Sequence, residues 1–397
     1  MPGRSPELPL HVWILDPANL TPFYSLALGS ALVSHGASVR FVTSRFSYDP
    51  DLEIPPEIDV QLHYFPGADR WDRFGATSRK IYRALRYPLD HRRLVRLIDR
   101  GEWKQPDVVH LQWSRLPMFD RSLVAKLKKK GIKVVHTVHD VEPLYEGAAD
   151  MSGLGRVYQN CDALIVHTEA NRRDLLERYP AIDVRKVHVV PHGPLQADAC
   201  PADGDRAKAR AALGISADAR VALNFGSIKP YKGLDLFVSA MPMVVQNVPQ
   251  AFLLLAGRPA RPADAPDMTI LQSRGIGHRA DLEFISNKDT WKYYMAADVV
   301  VLPYLNITQS GVLLSSMAFG KPAIVTAVGG LPEVIRPGQT GWVVPPENVP
   351  ALAEAISDAL SDPDRCDRMG LAARQDVLER FSWQAIGRET VRIYQSV

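Results

Sequence analysis

The sequence predicts an α/β protein made of two Rossmann-like domains, each a parallel sheet covered on both faces. Three observations predict it. A chain of 397 residues exceeds one ordinary core and suits two domains of roughly 190 residues, on a scale of about 150 per domain. Short runs rich in Val, Ile and Leu alternate with amphipathic helical segments, the pattern of strands buried on both sides. That pattern stops in a segment rich in Pro, Asp, Ala and Gly at residues 191–205, and then restarts.

In the first half, residues 12–15, 39–43, 108–111, 134–138, 163–167 and 187–190 read as strands because each is short, apolar and rich in β-branched residues. Residues 25–35 and 123–130 read as helices between them. The second half opens on a helix at residues 206–213, with Asp205 as N-cap and Gly214 as its stop. Strands follow at 221–225, 252–256, 282–285, 299–302 and 323–326, and residues 383–394 form a terminal amphipathic helix. The expected boundaries are residues 1–195 for the first domain, 196–380 for the second and 381–397 for the last helix. Open α/β sheets bind ligands at the carboxyl ends of their strands, so the chemistry is expected in a cleft where both sets of strands end.

Composition narrows the function classes. Hydrophobic residues make up 46% and charged residues 23%, which fits a folded soluble chain and not a disordered one. No apolar run approaches the ~20 residues of a spanning helix. The start, Met1-Pro2-Gly3-Arg4, leads into a strand-like run too brief for a signal peptide, so a cytoplasmic location is expected. Cys161, Cys200 and Cys366 lack the spacing of a zinc site or disulfide framework and read as structural or incidental. A net charge of +3 is too small to indicate nucleic acid.

Two segments of the second half carry chemistry. Asn224-Phe225-Gly226-Ser227-Ile228-Lys229-Pro230-Tyr231-Lys232-Gly233 ends a strand in a glycine turn and sets two lysines three apart before a helix. Glycine admits close backbone approach and ammonium groups neutralise a diphosphate; the alternative is a solvated loop with two surface lysines. Further on, the strand ending in Pro303-Tyr304 leads through Thr308-Gln309-Ser310-Gly311-Val312 into a helix, and a second glycine turn follows at Val328-Gly329-Gly330-Leu331-Pro332-Glu333. Helix N-termini beside glycine turns offer unpaired N–H groups to an anion. Read structurally, Ser310 is an N-cap and Glu333 a first-turn acid.

In the first half, His139 stands at the carboxyl end of the strand Val134-Val135-His136-Thr137-Val138, where it can reach the expected cleft, although a lone histidine is often structural. His110, His167 and His192 also lie near strand ends and read as structural. Between Arg70 and Lys104, the cations Arg79, Lys80, Arg83, Arg86, Arg92, Arg93, Arg96 and Arg100 are interleaved with Trp71, Phe74, Tyr82, Leu85, Tyr87 and Leu94. That mixture suits an anionic membrane surface or a lipid-pyrophosphate acceptor; the alternative is a solvated helix face.

The order and spacing of the glycine turns, the Lys-Gly element and Ala318-Phe319-Gly320-Lys321-Pro322 resemble the family 4 retaining glycosyltransferases of the GT-B fold, above all bacterial members that build surface polysaccharides. The resemblance implies a terminal helix crossing back to the first domain, a histidine such as His139 meeting the transferred sugar, and a donor diphosphate facing the turn at Ser310 and Gly311. The family also carries two glutamates, one on donor-sugar hydroxyls and one on the ribose, and the matching positions here are read as Thr308 and Ser316. The family's glycine-rich turn in the first domain is replaced by Asp16-Pro17-Ala18-Asn19-Leu20-Thr21-Pro22-Phe23.

The resulting expectation is a hexosyl transfer from a nucleotide diphosphate sugar to a glycan or lipid-linked saccharide, with retention and with neither cofactor nor metal. His139 and Lys232 are the catalytic candidates. Gly226, Ser227, Lys229, Lys232, Thr308, Gln309, Ser310, Gly311, Val312, Ser316 and Glu333 are the donor-binding candidates. A cytoplasmic enzyme held at the inner face of the membrane is a further expectation. The alternatives are a non-catalytic nucleotide-sugar-binding or partner subunit with a decayed site, and a sugar-nucleotide epimerase.

Overall fold

The computed structural model describes residues 9–46, 52–141, 153–195 and 205–397. The chain forms two compact units, Met1–Pro191 together with Trp383–Val397, and His192–Ser382.

The first unit contains strands β1 (His11–Asp16), β2 (Ser38–Thr43), β3 (Asp59–Leu62), β4 (Val108–Leu111), β5 (Lys133–Thr137), β6 (Ala163–Val166) and β7 (Val187–Val189). They form one parallel sheet in the order β3-β2-β1-β4-β5-β6-β7. All six residues of β1 are buried, as expected for a central strand covered by helices on both faces. Trp13, Leu15, Val109, Leu123 and Val124 belong to one apolar core on that sheet. The order reverses at β1, with β2 on one side and β4 on the other, which opens a crevice beyond the carboxyl ends of these strands.

The last helix, Trp383–Ser396, belongs to this unit. It packs on the helix Pro22–Ser34 so closely that a Cβ on Gly387 would collide with the carbonyl of Ala31. The Tyr394 hydroxyl lies 2.6 Å from His110 Nδ1.

The second unit contains β8 (Arg220–Phe225), β9 (Ala251–Ala256), β10 (His278–Asp281), β11 (Val299–Leu302), β12 (Ala323–Thr326) and β13 (Gly341–Val344). Their parallel order is β10-β9-β8-β11-β12-β13, with the reversal between β8 and β11. The helix Arg206–Ala212 starts as expected, the Asp205 carboxylate accepting from Lys208 N–H, and Gly214 follows it with φ 64°.

One strand expectation fails. Residues 282–285 are not a strand; the pairing partner of β9 is His278–Asp281. An edge strand needs no continuous apolar run, and Leu282 and Phe284 are exposed. Of the segments read from the sequence, Met1 to Arg4, residues 196–204 of the expected linker with Cys200, and Glu142 and Pro143 lie outside the described residues.

Candidate active site

In the second unit the ends of β8 and β11 bring the two lysine-and-glycine segments together. The chain leaves β8 through Gly226, runs through a short 3-10 turn at Pro230–Lys232, and enters the helix Leu234–Asn247 at Gly233. Gly233 must be glycine: its φ is 62° and a Cβ would strike the Pro303 carbonyl oxygen just after β11. This close seat carries Lys232 inward. Its Nζ lies 5.5 Å from the centre of the Tyr304 ring and beside Gly226, where a Cβ would come within 3.4 Å of it. The same Cβ would touch Val312 at 3.2 Å. Gly226, Lys232, Tyr304 and Val312 are thus neighbours.

The lysine is buried, yet Nζ makes no hydrogen bond or ion pair with any described residue. Burial, with the charge of Lys229 added, lowers its pKa from 10.5 to about 7. An uncompensated buried cation of this kind is costly unless an anion joins it. Lys229 is half-buried and its Nζ lies 5.7 Å from the Tyr231 ring, while Ser227 is exposed in the turn.

The helix Gly311–Ala318 begins beside this lysine. Ser310 is its N-cap, with Oγ accepting from Leu313 N–H at 3.3 Å. The second glycine turn is locked against it: Gly329 has φ 51°, a Cβ there would overlap the Ile307 carbonyl, and Gly330 N–H donates to the Thr308 carbonyl at 3.0 Å. Thr308 and Ser310 are buried, while Gln309, Gly311 and Val312 are half-buried. Glu333 is exposed in the first turn of the short helix Leu331–Val334.

Ser316 is fully buried, and its hydroxyl donates to the Leu313 carbonyl at 2.7 Å inside the helix. The neighbouring Ser315, about 100° around the helix, instead bonds with Leu195, donating to its carbonyl at 2.7 Å and accepting from its N–H at 3.3 Å.

The first unit arranges its strand ends differently. At the end of β1, Asp16 Oδ2 accepts from the backbone N–H groups of Leu20 at 3.0 Å and Thr21 at 3.3 Å, ahead of the helix Pro22–Ser34. Burial raises this carboxyl to about 6 against those hydrogen bonds. Beyond β5, His139 is buried with its ring stacked 4.7 Å from Trp113 and Tyr24 edge-on at 4.8 Å. The His167 tautomer follows from its partner. The Val190 carbonyl can only accept, so the His167 Nδ1 at 3.0 Å carries a proton. Burial lowers His167 to about 4, so the ring is neutral at pH 7 and its Nε2 is an acceptor. His139 Nδ1 lies 3.3 Å from it, and His139 Nε2 lies 3.0 Å from Gln112 Oε1. Any ligand of His139 meets Nε2 in competition with Gln112.

Sequence reasoning overlooked Gln112, and it passed over His167 as merely structural. The available signal was position: both are polar residues directly after a buried strand. Cys161 and Cys366 are buried, and burial raises each thiol to about 12, which makes them poor nucleophiles. Among the described residues no group of three or more His, Cys, Asp or Glu could hold a metal ion, and no helix is long and apolar enough to cross a membrane.

Comparison with known proteins adds a family. Residues 205–376 match the family described as glycosyl transferases group 1, and residues 23–193 match glycosyltransferase family 4. The chain is 30% identical over 287 residues to an alpha-maltose-1-phosphate synthase from Mycolicibacterium smegmatis, covering 67% of this chain and 74% of that protein. Among solved structures, the sucrose-phosphate synthase from Thermosynechococcus elongatus superposes with a TM-score of 0.72 at 23% identity, over 98% of each chain. Anabaena HepE in complex with UDP-glucose gives a TM-score of 0.71 at 16% identity, over 98% of this chain and 100% of that one. These structures share the fold.

Proposed function

The chain belongs to the family 4 glycosyltransferases, with the GT-B fold, and on that premise we propose that it moves a sugar from a nucleotide diphosphate donor to a glycan or lipid-linked saccharide acceptor. The proposal includes retention of anomeric configuration, independence of metal, and a cytoplasmic role in surface polysaccharide biosynthesis.

The observation that carries the reading is Lys232: a buried ammonium with no described partner, beside Gly226, near the N-terminus of the helix Gly311–Ala318. As the glycosidic bond to the donor breaks, negative charge grows on the departing diphosphate. Lys232 would neutralise it where water is excluded, with Lys229 at the rim and the free N–H groups of Gly311 and Val312 adding dipolar support. Such fixed charges supply what a divalent ion supplies elsewhere. Thr308, Gln309 and Ser310 offer neutral groups to the donor sugar, and His139 is assigned to the reacting end of the substrate through Nε2. A UDP-glucose complex of the HepE relative supports the donor class.

The test is a panel of UDP-, GDP- and ADP-sugars with saccharide acceptors, reading release of nucleotide diphosphate with and without EDTA. Release with at least one donor, unchanged by chelator, is expected. Loss in chelator restored by magnesium or manganese would overturn metal independence. Donor binding without turnover across acceptors would favour the partner-subunit reading, and an altered sugar without acceptor would favour an epimerase.

A further inference from the structure

The helix Ala76–Asp99 in the first unit has 24 residues and is thus about 36 Å long. Its inner face, with Tyr87, Leu94 and Ile98, belongs to the core of that unit. Its outer face is of another kind. Ile81, Leu85 and Leu89 follow at four-residue intervals along one stripe and are 57%, 67% and 44% exposed. Arg92 and Arg96 continue that side of the helix, with Arg93 at its flank, and all three are exposed. None of the three pairs with a described carboxylate. The acids of this helix do not relieve them: Asp90 is buried and held by Arg86 at 2.6 Å, and Asp99 is paired with Lys130. Just before the helix, Trp71 and Phe74 are exposed, with Trp71 stacked 5.3 Å from Tyr82.

A soluble surface keeps large aliphatic side chains scattered and its cations mixed with acids. Here a row of aliphatics and a row of unpaired cations share one helix face. We propose that this face docks on an anionic lipid bilayer, with the helix lying along the surface, Ile81, Leu85 and Leu89 entering the acyl boundary, and Arg92, Arg93 and Arg96 meeting headgroup phosphates. Charge complementarity selects this occupant over a second copy of the chain, because the same face of a second copy carries no free acid among its described residues to meet the cation row, whereas anionic headgroups do. The inference rests on this face alone and stands or falls separately from the glycosyl-transfer reading.

Vesicle flotation of the full chain tests it, comparing phosphatidylcholine vesicles with vesicles containing one-third phosphatidylglycerol. Association with the anionic vesicles at low salt, weakening as salt is raised, is expected. Each cation near an anionic leaflet contributes roughly fivefold in partition, so an Arg92→Gln, Arg93→Gln, Arg96→Gln variant should lose on the order of a hundredfold. An Ile81→Ser, Leu85→Ser, Leu89→Ser variant should lose roughly 10- to 100-fold on the same vesicles. Unchanged circular dichroism and an unchanged thermal unfolding midpoint in both variants would show that the fold survives. Equal binding to neutral and anionic vesicles, or none at low salt, would overturn the proposal. So would a dimer, seen by sedimentation, that the serine variant abolishes.

Discussion

At the end of β1 the chain supplies its own anion: Asp16 fills the backbone N–H groups of Leu20 and Thr21 ahead of the first helix. At the end of β8 it supplies a cation with nothing to balance it, since Lys232 is buried beside Gly226 without a described counter-charge. Both sheets are parallel and reverse order beside these strands, so topology alone would make the two turns equivalent. The side chains separate them. One turn has its N–H groups met by a carboxylate, whereas the other holds a buried lysine with no described counter-charge. A domain that has answered its own helix terminus is suited to hold neutral hydroxyls; one that has left a positive site open is suited to hold phosphate.

The largest expected effect attacks the incomplete side. Lys232→Ala should keep the fold and reduce turnover by about two orders of magnitude or more, since a desolvated charge contact is worth roughly 2–5 kcal/mol. Unchanged turnover in a folded variant would erase the contrast. The same lysine should weaken the fold. Its folded pKa is about 7 against 10.5 in an ordinary setting, so below pH 7 both states are charged and the fold bears the whole desolvation cost. Between those values the unfolded chain binds the extra proton, and the cost fades as pH rises. Thermal unfolding should therefore find Lys232→Met more stable than wild type at pH 6, with the gain shrinking by pH 10.

On the other side, His139→Ala should lower turnover by about 10- to 100-fold and change donor affinity less, as a residue acting at the reacting end should. Steady-state kinetics with donor titration would expose the opposite pattern, which would move His139 out of the reaction. Next in size is the pH dependence of nucleotide affinity. Donor diphosphate should bind the charged form of Lys232, so UDP affinity by calorimetry should fall by up to tenfold per pH unit above about 7, until the bound lysine itself titrates. A flat profile from pH 6 to 9 would mean that the ammonium does not meet the ligand.

The smallest effects separate two residues that look alike in sequence. Thr308→Ala should cost about 0.5–1.5 kcal/mol of donor affinity, the value of a neutral hydrogen bond. Ser316→Ala should leave donor affinity nearly unchanged, because its hydroxyl is spent on the Leu313 carbonyl. A larger loss at Ser316 than at Thr308 would show that the helix presents a different face to the ligand.

Why the sequence separates some features and not others follows from burial. Strands such as 299–302 and 323–326 lie inside the sheet, and their uninterrupted apolar runs made them readable. Asp59–Leu62, His278–Asp281 and Gly341–Val344 are edge strands with partly exposed residues; two went unread and the third was displaced to residues 282–285. The positions of the glycine turns were legible because glycine at a strand end has few other uses. The direction of a helical side chain was not. Ser315 and Ser316 are one position apart, a rotation of about 100°, and only the packed helix shows that one hydroxyl bonds to Leu195 and the other to Leu313. The neutralising role of Asp16 was equally hidden, since an aspartate after a strand reads the same whether it faces a ligand or its own backbone.

The placement of Trp383–Ser396 in the first unit has a consequence for how the molecule is made. The first sheet emerges from the ribosome long before the helix that covers Ala31 and meets His110, so the first unit cannot finish packing until the second unit and that helix have been synthesised. Until then the outer side of the helix Pro22–Ser34 is bare, and the second unit, contiguous at His192–Ser382, is free to fold first.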